Sequence, residues 1–265
     1  MSKKNVISMQ KSLGLSFCIT LLLFVIAVFS LEVNGRELLN KTEIVICEGT
    51  NYQTVAHIVS SNQEGPTVMI MSGVHGNELA GIEATKELLE KLEPNKGTVI
   101  IIPEVNIEAC KKGVRMLPSE EDLNRIYPGD SNSQGIHKLA GEIFEIIEEN
   151  EIDFLLDLHE SIEFYQKNSS HYGQTIILDS DNNEILQEIS NYLIKQLNQE
   201  VILPENKFEV ISEPIKGSST YEALHQYNIP GITFETCTKI ELKKRVAFHY
   251  HCIQSILRYF DIISS

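Results

Sequence analysis

The sequence predicts an α/β fold in which a mixed, largely parallel central sheet is flanked by helices and preceded by an N-terminal hydrophobic leader or anchor helix. Two observations predict the folded part. From residue 43 onward, short apolar runs alternate with segments of helical periodicity, which is typical of α/β domains. Thr98–Ile102 is a continuous β-branched run, as expected for a strand that is buried on both faces.

The N-terminal segment has the layout of a secretory leader or a membrane anchor. An uncharged run rich in Leu, Ile, Val and Phe covers residues 12–31 and follows Lys3, Lys4 and Lys11. Such a run fits a signal peptide and is also long enough to span a bilayer as a helix. Cleavage after Ser30 or Gly35 and retention as an anchor both stay open. We expect residues 1–35 to be the signal peptide or anchor and residues 36–265 to form one domain outside the cytoplasm.

The charge balance excludes some classes of partner. The 265-residue chain has 22 Lys and Arg against 37 Asp and Glu, which gives a formal net charge of −15. A basic footprint for nucleic acid is therefore missing, and we expect no nucleic-acid partner. The hydrophobic fraction of 42% is that of an ordinary globular protein.

The elements follow from periodicity and from turn residues between apolar runs. The predicted strands are Ile44–Cys47, Thr54–Ser60, Thr67–Ser72, Thr98–Ile102, Asp153–His159, Thr175–Leu178, Val201–Leu203, Phe208–Ile211 and Gly231–Glu235. The predicted helices are Glu78–Leu92, Gln134–Glu149, Asn183–Leu197, Thr220–Tyr227 and Glu241–Phe260. The long polar stretch Glu104–Ser133 reads as a functional loop, because loops of this length are uncommon in compact domains without a role.

The cysteines do not form a metal or redox motif. Cys18 lies in the leader, and the other four lack any C-x-x-C pair: Cys47, Cys110, Cys237 and Cys252. A domain of this size does not need disulfides for stability, so we expect free or partly paired thiols.

Polar residues at strand ends point to a metal site. His75 follows a predicted strand, Glu78 opens the next predicted helix, and His159 ends another buried strand. Ligands gather at the carboxyl ends of strands in open α/β sheets. Imidazole and carboxylate are ligands that catalytic Zn²⁺ takes in sets of three, although this set also suits other divalent ions.

The long polar stretch adds the elements of an anion pocket. Arg115 and Arg125 occur there in an otherwise acidic chain, and Asn124 adjoins the second arginine. A guanidinium can bind a carboxylate in a bidentate manner. Ion pairs with the nearby Glu120 and Glu121 are the alternative.

These pieces occur in the order of a known family. The motifs are His75-x-x-Glu78, Arg115, Asp122-Leu123-Asn124-Arg125-x-x-Pro128-Gly129, Asp157-Leu158-His159 and Thr233-Phe234-Glu235. In this combination the chain resembles the zinc carboxypeptidase superfamily, and it is most similar to the succinylglutamate desuccinylase/aspartoacylase branch. The resemblance covers the chain from Val68 to the C-terminal helix and implies a zinc-carboxypeptidase-like sheet.

The resemblance also implies a role for each site residue. One Zn²⁺ per chain would be held by His75, Glu78 and His159, with Asp122 orienting His75. Glu235 would act as the general base and later as the acid, and Arg115 would stabilise the oxyanion. The substrate would be bound by Asn124, Arg125 and Tyr221. The implied reaction is hydrolysis of an amide bond next to a free carboxylate.

Three functions stay open at this point. The first is an N-acyl amino acid deacylase, and the second is a metallocarboxypeptidase that acts on peptides or cell-wall stem peptides. The third, of another class, is an inactive surface binding module. Thr236-Cys237-Thr238 departs from the glycine-containing turn expected after Glu235 in the deacylase branch. We interpret the remaining histidines as structural, and Glu160 as facing solvent.

Overall fold

An eight-stranded sheet organises the part of the chain that the computed structural model describes, residues 39–179, 183–199 and 201–264. Its strands are β1 (Asn40–Ile46), β2 (Thr54–Ser60), β3 (Thr67–Ser72), β4 (Thr98–Ile102), β5 (Phe154–Ser161), β6 (Thr175–Ile177), β7 (Glu209–Ile211) and β8 (Gly231–Cys237). The helices of these residues are α1 (Leu79–Lys91), α2 (Ile107–Lys112), α3 (Gly135–Glu149), α4 (Glu184–Leu197), α5 (Ser219–Tyr227) and α6 (Leu242–Tyr259). Short 3-10 turns cover Leu123–Arg125 and Pro204–Asn206.

The predicted leader and its two cleavage sites lie outside the described residues, so the leader stays a prediction. Among the helices formed by residues 39–179, 183–199 and 201–264, none combines the length and the apolarity needed to cross a bilayer.

The sheet is parallel at its centre and has antiparallel pairs on both sides of that centre, while the edge pair β6 and β7 is parallel. The strand order is β1-β2-β4-β3-β5-β8-β6-β7. The four central strands β4, β3, β5 and β8 are parallel to one another. β2 joins β4 in the antiparallel sense, and β6 joins β8 in the same way. The prediction of a mixed sheet flanked by helices is confirmed, and the parallel centre brings the carboxyl ends of β3, β5 and β8 to one edge.

Two apolar cores cover the two faces of the sheet. Residues of β3 alternate between them, with Val68 and Ile70 in one core and Met69 and Met71 in the other. Helices α1, α4 and α6 contribute to the first core, whereas α3 and α5 contribute to the second. This alternation follows from the two-residue period of a strand. With helices on both faces, β3 is buried almost throughout, which explains its continuous apolar sequence.

Most predicted elements agree with the structure to within two residues, but β1 begins at Asn40, four residues before the predicted start at Ile44. Two further points differ. Val201–Leu203 is wrong as a strand: it is irregular, and Ile202 is 92% exposed. Three apolar residues are too few to identify a strand when no neighbouring strand pairs with them. The polar stretch 104–133 contains α2, a six-residue helix capped by the side chain of Asn106. All four cysteines within the described ranges are free thiols.

Candidate metal centre

Three adjacent strands carry the principal residues of the site. β3 ends at Ser72 and leads through a loop with His75 and Glu78 into α1. β5 carries His159, and β8 carries Glu235. His159 and Glu235 are direct neighbours in the parallel register of β5 and β8. The central sheet therefore fixes the separation of groups that lie far apart in sequence.

The side chains of His75, Glu78 and His159 converge. Their ligand atoms all lie within 4.8 Å of one another, and all three residues are buried. His75 Nδ1 is 2.8 Å from Glu78 Oε1, and His159 Nδ1 is 2.9 Å from Glu78 Oε2. The two Nδ1 atoms are 3.2 Å apart. This is the grouping expected from the sequence, and each histidine turns the same ring nitrogen inward.

Two glycines allow the loop that carries His75. Gly73 has φ +68, a left-handed conformation that glycine adopts without steric cost. A Cβ on Gly76 would lie only 2.0 Å from the backbone carbonyl carbon of Ala109 in α2. Gly76 N also donates to Arg115 O at 3.2 Å. The loop therefore packs directly against the polar stretch, and position 76 requires glycine because a side chain would collide with the backbone of α2.

Gly76→Ala is therefore expected to lower the free energy of unfolding by about 1–3 kcal/mol, because the contacted atoms are backbone and can move little. Urea unfolding followed by circular dichroism measures this. Gly49→Ala is the control, since Gly49 also has a positive φ but open space around it. That variant should lose about 1 kcal/mol through backbone strain alone. Wild-type stability in Gly76→Ala would contradict the close packing of this loop.

A carboxylate lies beside the outward nitrogen of each histidine. His75 Nε2 lies 2.9 Å from Asp122 Oδ1, as expected from the resemblance. His159 Nε2 lies 3.1 Å from Asp157 Oδ2, which also accepts from Ser219 Oγ at 2.5 Å. A carboxylate beside Nε2 favours the tautomer with its proton there, which leaves Nδ1 free as a ligand. This position of Asp157 beside His159 is not predicted from the sequence, although the spacing Asp157-x-His159 could have indicated it.

The electrostatics of the group favour charged side chains. Burial by itself lowers the pKa of His159, but Asp157 and Glu78 outweigh it and raise that pKa well above its usual value. The pKa of His75 is raised in the same way, by Glu78 and Asp122 against the effect of burial. Burial raises the pKa of Glu78, but the two imidazoles lower it by more than burial raises it, so the net shift is downward. Glu78 is therefore ionised at neutral pH, whereas each imidazole must release the proton on Nδ1 before that nitrogen can bind a metal ion.

Glu235 differs from Glu78 in its environment. Its Oε2 atom is enclosed and has no hydrogen-bond partner among the described residues. Burial raises the pKa of Glu235 to about 8, although His159 acts in the opposite direction. A carboxyl whose pKa lies near neutrality can both accept and release a proton in one cycle. The register of β5 and β8 places Glu235 directly beside His159, one of the three converging residues.

The polar stretch brings an arginine to the same place. Arg115 donates to Glu78 Oε1 at 3.1 Å and to Asp122 Oδ2 at 2.9 Å. Its side chain is 44% exposed, so the guanidinium borders both the buried group and solvent. The alternative pairing with Glu120 or Glu121 is not what the structure shows for Arg115.

The expected substrate-binding residues lie on two segments that meet. Asn124 is buried, and its Oδ1 has no hydrogen-bond partner within the described part of the chain. Arg125 is exposed and donates to Asn124 O at 2.7 Å. Tyr127 N donates to Gly217 O, which joins this segment to the start of α5. Tyr221 on α5 is half-buried and stacks on His225 with ring centroids 3.9 Å apart. No direct contact joins these side chains to His75, Glu78 or His159 among the described interactions.

The interpretation of Glu160 as a solvent-facing residue is wrong. Its side chain is only 1% exposed and forms an ion pair with Arg245 on α6. Arg245 lies 85 positions further along the chain, so no local pattern indicates the pair.

The donor set fits a zinc ion. Two imidazole nitrogens and one carboxylate are the protein ligands of many catalytic zinc sites, which keep a further position open. Here both Nδ1 atoms and the Glu78 carboxylate face one point, while Asp122 and Asp157 lie beside the opposite ring nitrogens. The arrangement of buried donors thus matches what zinc requires.

Comparison with known sequences identifies relatives of the chain. It is 38% identical over 99 residues to N-alpha-acetyl-L-2,4-diaminobutyric acid deacetylase from Halomonas elongata, a match that covers 36% of this chain and 29% of the relative. It is 27% identical over 152 residues to succinylglutamate desuccinylase from Pseudomonas fluorescens, covering 50% of this chain and 43% of the relative. In both cases the match spans less than half of the relative's length.

Solved structures share the fold at low sequence identity. Tripeptide-bound Csd4 from Helicobacter pylori superposes with a TM-score of 0.70 at 20% identity, over 84% of this chain and 56% of that chain. Product-bound EutE (DoeB) from Ruegeria pomeroyi superposes with a TM-score of 0.68 at 18% identity, over 87% and 69%.

The family comparison covers most of the described residues. The profile of the succinylglutamate desuccinylase/aspartoacylase catalytic domain matches residues 64–245, a range that contains every site residue discussed above. The chain therefore belongs to the succinylglutamate desuccinylase/aspartoacylase catalytic domain family.

Proposed function

We propose that the protein is a zinc-dependent hydrolase that removes the acyl group from an N-acyl amino acid by cleaving the amide bond beside a free carboxylate. The observation that carries this proposal is the convergence of His75, Glu78 and His159 within 4.8 Å at the sheet edge that also holds Glu235. Family membership supports it, since both relatives named above act on N-acyl amino acids.

The chain's own residues would divide the chemistry. Zn²⁺ held by His75, Glu78 and His159 would supply a Lewis acid that polarises a carbonyl and activates water. Glu235 would take a proton from the attacking water onto its carboxylate and then pass that proton to the leaving nitrogen. Arg115 would place a fixed positive charge beside the carbonyl oxygen as negative charge develops there.

The segments around Asn124 and Tyr221 would select the substrate. Arg125 is exposed, next to the buried amide of Asn124, and both lie on the 3-10 turn that directly follows Asp122. A guanidinium in this position suits a carboxylate on the substrate. Tyr221 would complete the pocket from α5. This assignment makes the free carboxylate the common feature of the substrates.

Arg125→Met is accordingly expected to raise KM for N-acyl amino acids by about 10–100-fold, since a hydrogen bond to a charged group contributes about 1.5–3 kcal/mol. A matched substrate whose carboxylate is converted to an amide should show the same low activity with wild type and variant. Initial rates over a range of concentrations measure both. An unchanged KM for the carboxylate substrate would remove Arg125 from substrate binding.

A carboxypeptidase activity is the second candidate, and the predicted leader favours it. If residues 12–31 export the chain or anchor it in a membrane, the site meets peptides outside the cytoplasm rather than metabolic intermediates. The terminal carboxylate of a peptide, including a cell-wall stem peptide, offers the same recognition feature to Arg125. The structural neighbour Csd4 is described as a D,L-carboxypeptidase.

One experiment separates these functions. The purified full-length chain is analysed for zinc and is assayed on a panel of N-acyl amino acids and of peptides with free carboxyl termini. We expect one zinc per chain and release of free amino acid from the acylated substrates. Activity on the peptides alone would establish the second candidate. Zinc without turnover on either set would indicate a binding module, and failure to bind zinc after reconstitution would refute the site.

A further inference from the structure

The first turn of α1 lacks the cap that a helix start normally has. Glu78 is the residue before the helix, but its side chain makes no capping hydrogen bond within the described structure. Its carboxylate instead faces His75 and His159. Because the first N–H groups of a helix have no partner inside the helix, something else must satisfy them.

Glu160 on β5 supplies the missing acceptor. Its Oε2 atom accepts a hydrogen bond from Ala80 N, in the first turn of α1, at 3.0 Å. Its own backbone N–H donates to Glu78 Oε2 at 2.9 Å. A single residue therefore contacts both the start of the helix and the carboxylate that precedes it.

Arg245 compensates the buried charge of Glu160. A buried carboxylate is costly unless it is paired and hydrogen-bonded. Arg245 Nη1 and Thr236 Oγ1 both contact Glu160 Oε1, the latter at 3.1 Å. Arg245 Nε also donates to Ile240 O at 2.8 Å, which fixes the guanidinium at the start of α6. Helix α6 in turn packs against α1.

His249 completes the network as a neutral group. Thr236 Oγ1 lies 3.0 Å from His249 Nε2, and its one hydrogen is directed to Glu160. The hydroxyl must therefore accept from a protonated Nε2. Burial lowers the pKa of His249 to about 3, so the imidazole carries no charge at neutral pH. Among the described partners of the Glu160 carboxylate, the positive charge comes from Arg245.

We infer that Glu160, paired with Arg245, is a positioning residue that caps α1 from the neighbouring strand and thereby holds Glu78 in the orientation that binds the metal ion. The inference rests on the proposed zinc site. It assigns to α6 a part in metal binding, although α6 supplies none of the three converging ligands.

The test replaces the pair and measures zinc affinity. In Glu160→Leu/Arg245→Met both charges disappear together, and apolar replacement of a buried ion pair often leaves stability unchanged. We expect zinc affinity, measured by competition with a chromogenic chelator, to fall about 10–100-fold, as for other residues that support metal ligands. Urea unfolding of the metal-free protein should remain a single cooperative transition, with a modestly lower urea midpoint because Ala80 N loses its acceptor. Glu87→Gln/Lys91→Met removes an exposed ion pair on the same helix and should leave the affinity unchanged.

Hydrogen exchange provides a second test, because it reports on the stability of the first turn of α1. Hydrogen exchange of the segment 79–84 should be faster in the double variant than in wild type. Glu160→Gln keeps an oxygen for Ala80 N but loses the charge, so its zinc affinity should lie between the two. Wild-type affinity and exchange in the double variant would overturn the inference. If the double variant does not fold, the same two results in Glu160→Gln would overturn it. Failure of the wild type to bind zinc would instead refute the metal site itself, before any variant is compared.

Discussion

Glu235→Gln is expected to lower kcat by about 10²–10⁴-fold while the protein keeps its metal ion. Glutamine preserves the size of the side chain but cannot accept a proton at neutral pH. Glu235 is not one of the three converging ligands, so metal content should not change. Parallel measurement of zinc content and initial rates tests both statements.

The pH dependence of wild-type activity is a second test of the role of Glu235. Burial raises the pKa of Glu235 to about 8 in the metal-free protein, against about 4.3 for an ordinary glutamate. A base must be deprotonated to act, so activity should increase with pH along an acid limb, and a bound cation will move that limb below pH 8. We expect the limb to lie above pH 4.3.

The matched control is Glu149→Gln, which changes an exposed glutamate at the end of α3 and should leave both kcat and zinc content unchanged. Wild-type turnover by Glu235→Gln would show that another group moves the proton.

His159→Ala should abolish metal binding as well as turnover. It removes one of three ligands, and even residues outside the ligand set change metal affinity by about 10–100-fold, so we expect a loss of more than about 100-fold. It also leaves Asp157, which is fully buried, with Ser219 but without its imidazole partner. Zinc content after dialysis and competition with a chelator measure the effect.

His57→Ala serves as the control for removal of an imidazole. His57 lies on β2, where it pairs with the exposed Glu43, and no interaction among the described residues connects it to the site. This variant should retain one zinc and full activity. Retention of zinc by His159→Ala, with unfolding like that of wild type, would contradict the ligand set proposed here.

The central strands show why much of the fold is predictable. β2, β3 and β4 have the bounds that the sequence indicates, because each is an apolar or β-branched run, interrupted only by His57 in β2. β3 and β4 are also buried almost throughout, so burial and sequence agree. Helix α2 is missed because its six residues are too few for a helical period to stand out from a polar stretch.

Some contacts of the site are likewise predictable from the sequence, and others are not. The convergence of His75, Glu78 and His159 follows from motif spacing and from the rule that parallel strands end at one edge. The contact between Glu160 and Arg245 does not, because it depends on how α6 packs against the rest of the fold. Contacts across such distances carry no periodic signal, so the structure is needed to find them.

Through Asp122, the polar stretch 104–133 contacts the metal-binding group as well as carrying the proposed substrate-binding residues. One of its oxygens holds His75 and the other holds Arg115, while Asn124 and Arg125 follow within three positions. An exchange of this stretch between relatives would alter substrate choice and reactivity together. Engineering of a new acyl or peptide preference should therefore graft side chains after Asp122 and retain both Asp122 and Arg115. In the proposed mechanism, one carboxylate therefore couples the chemistry to the range of substrates.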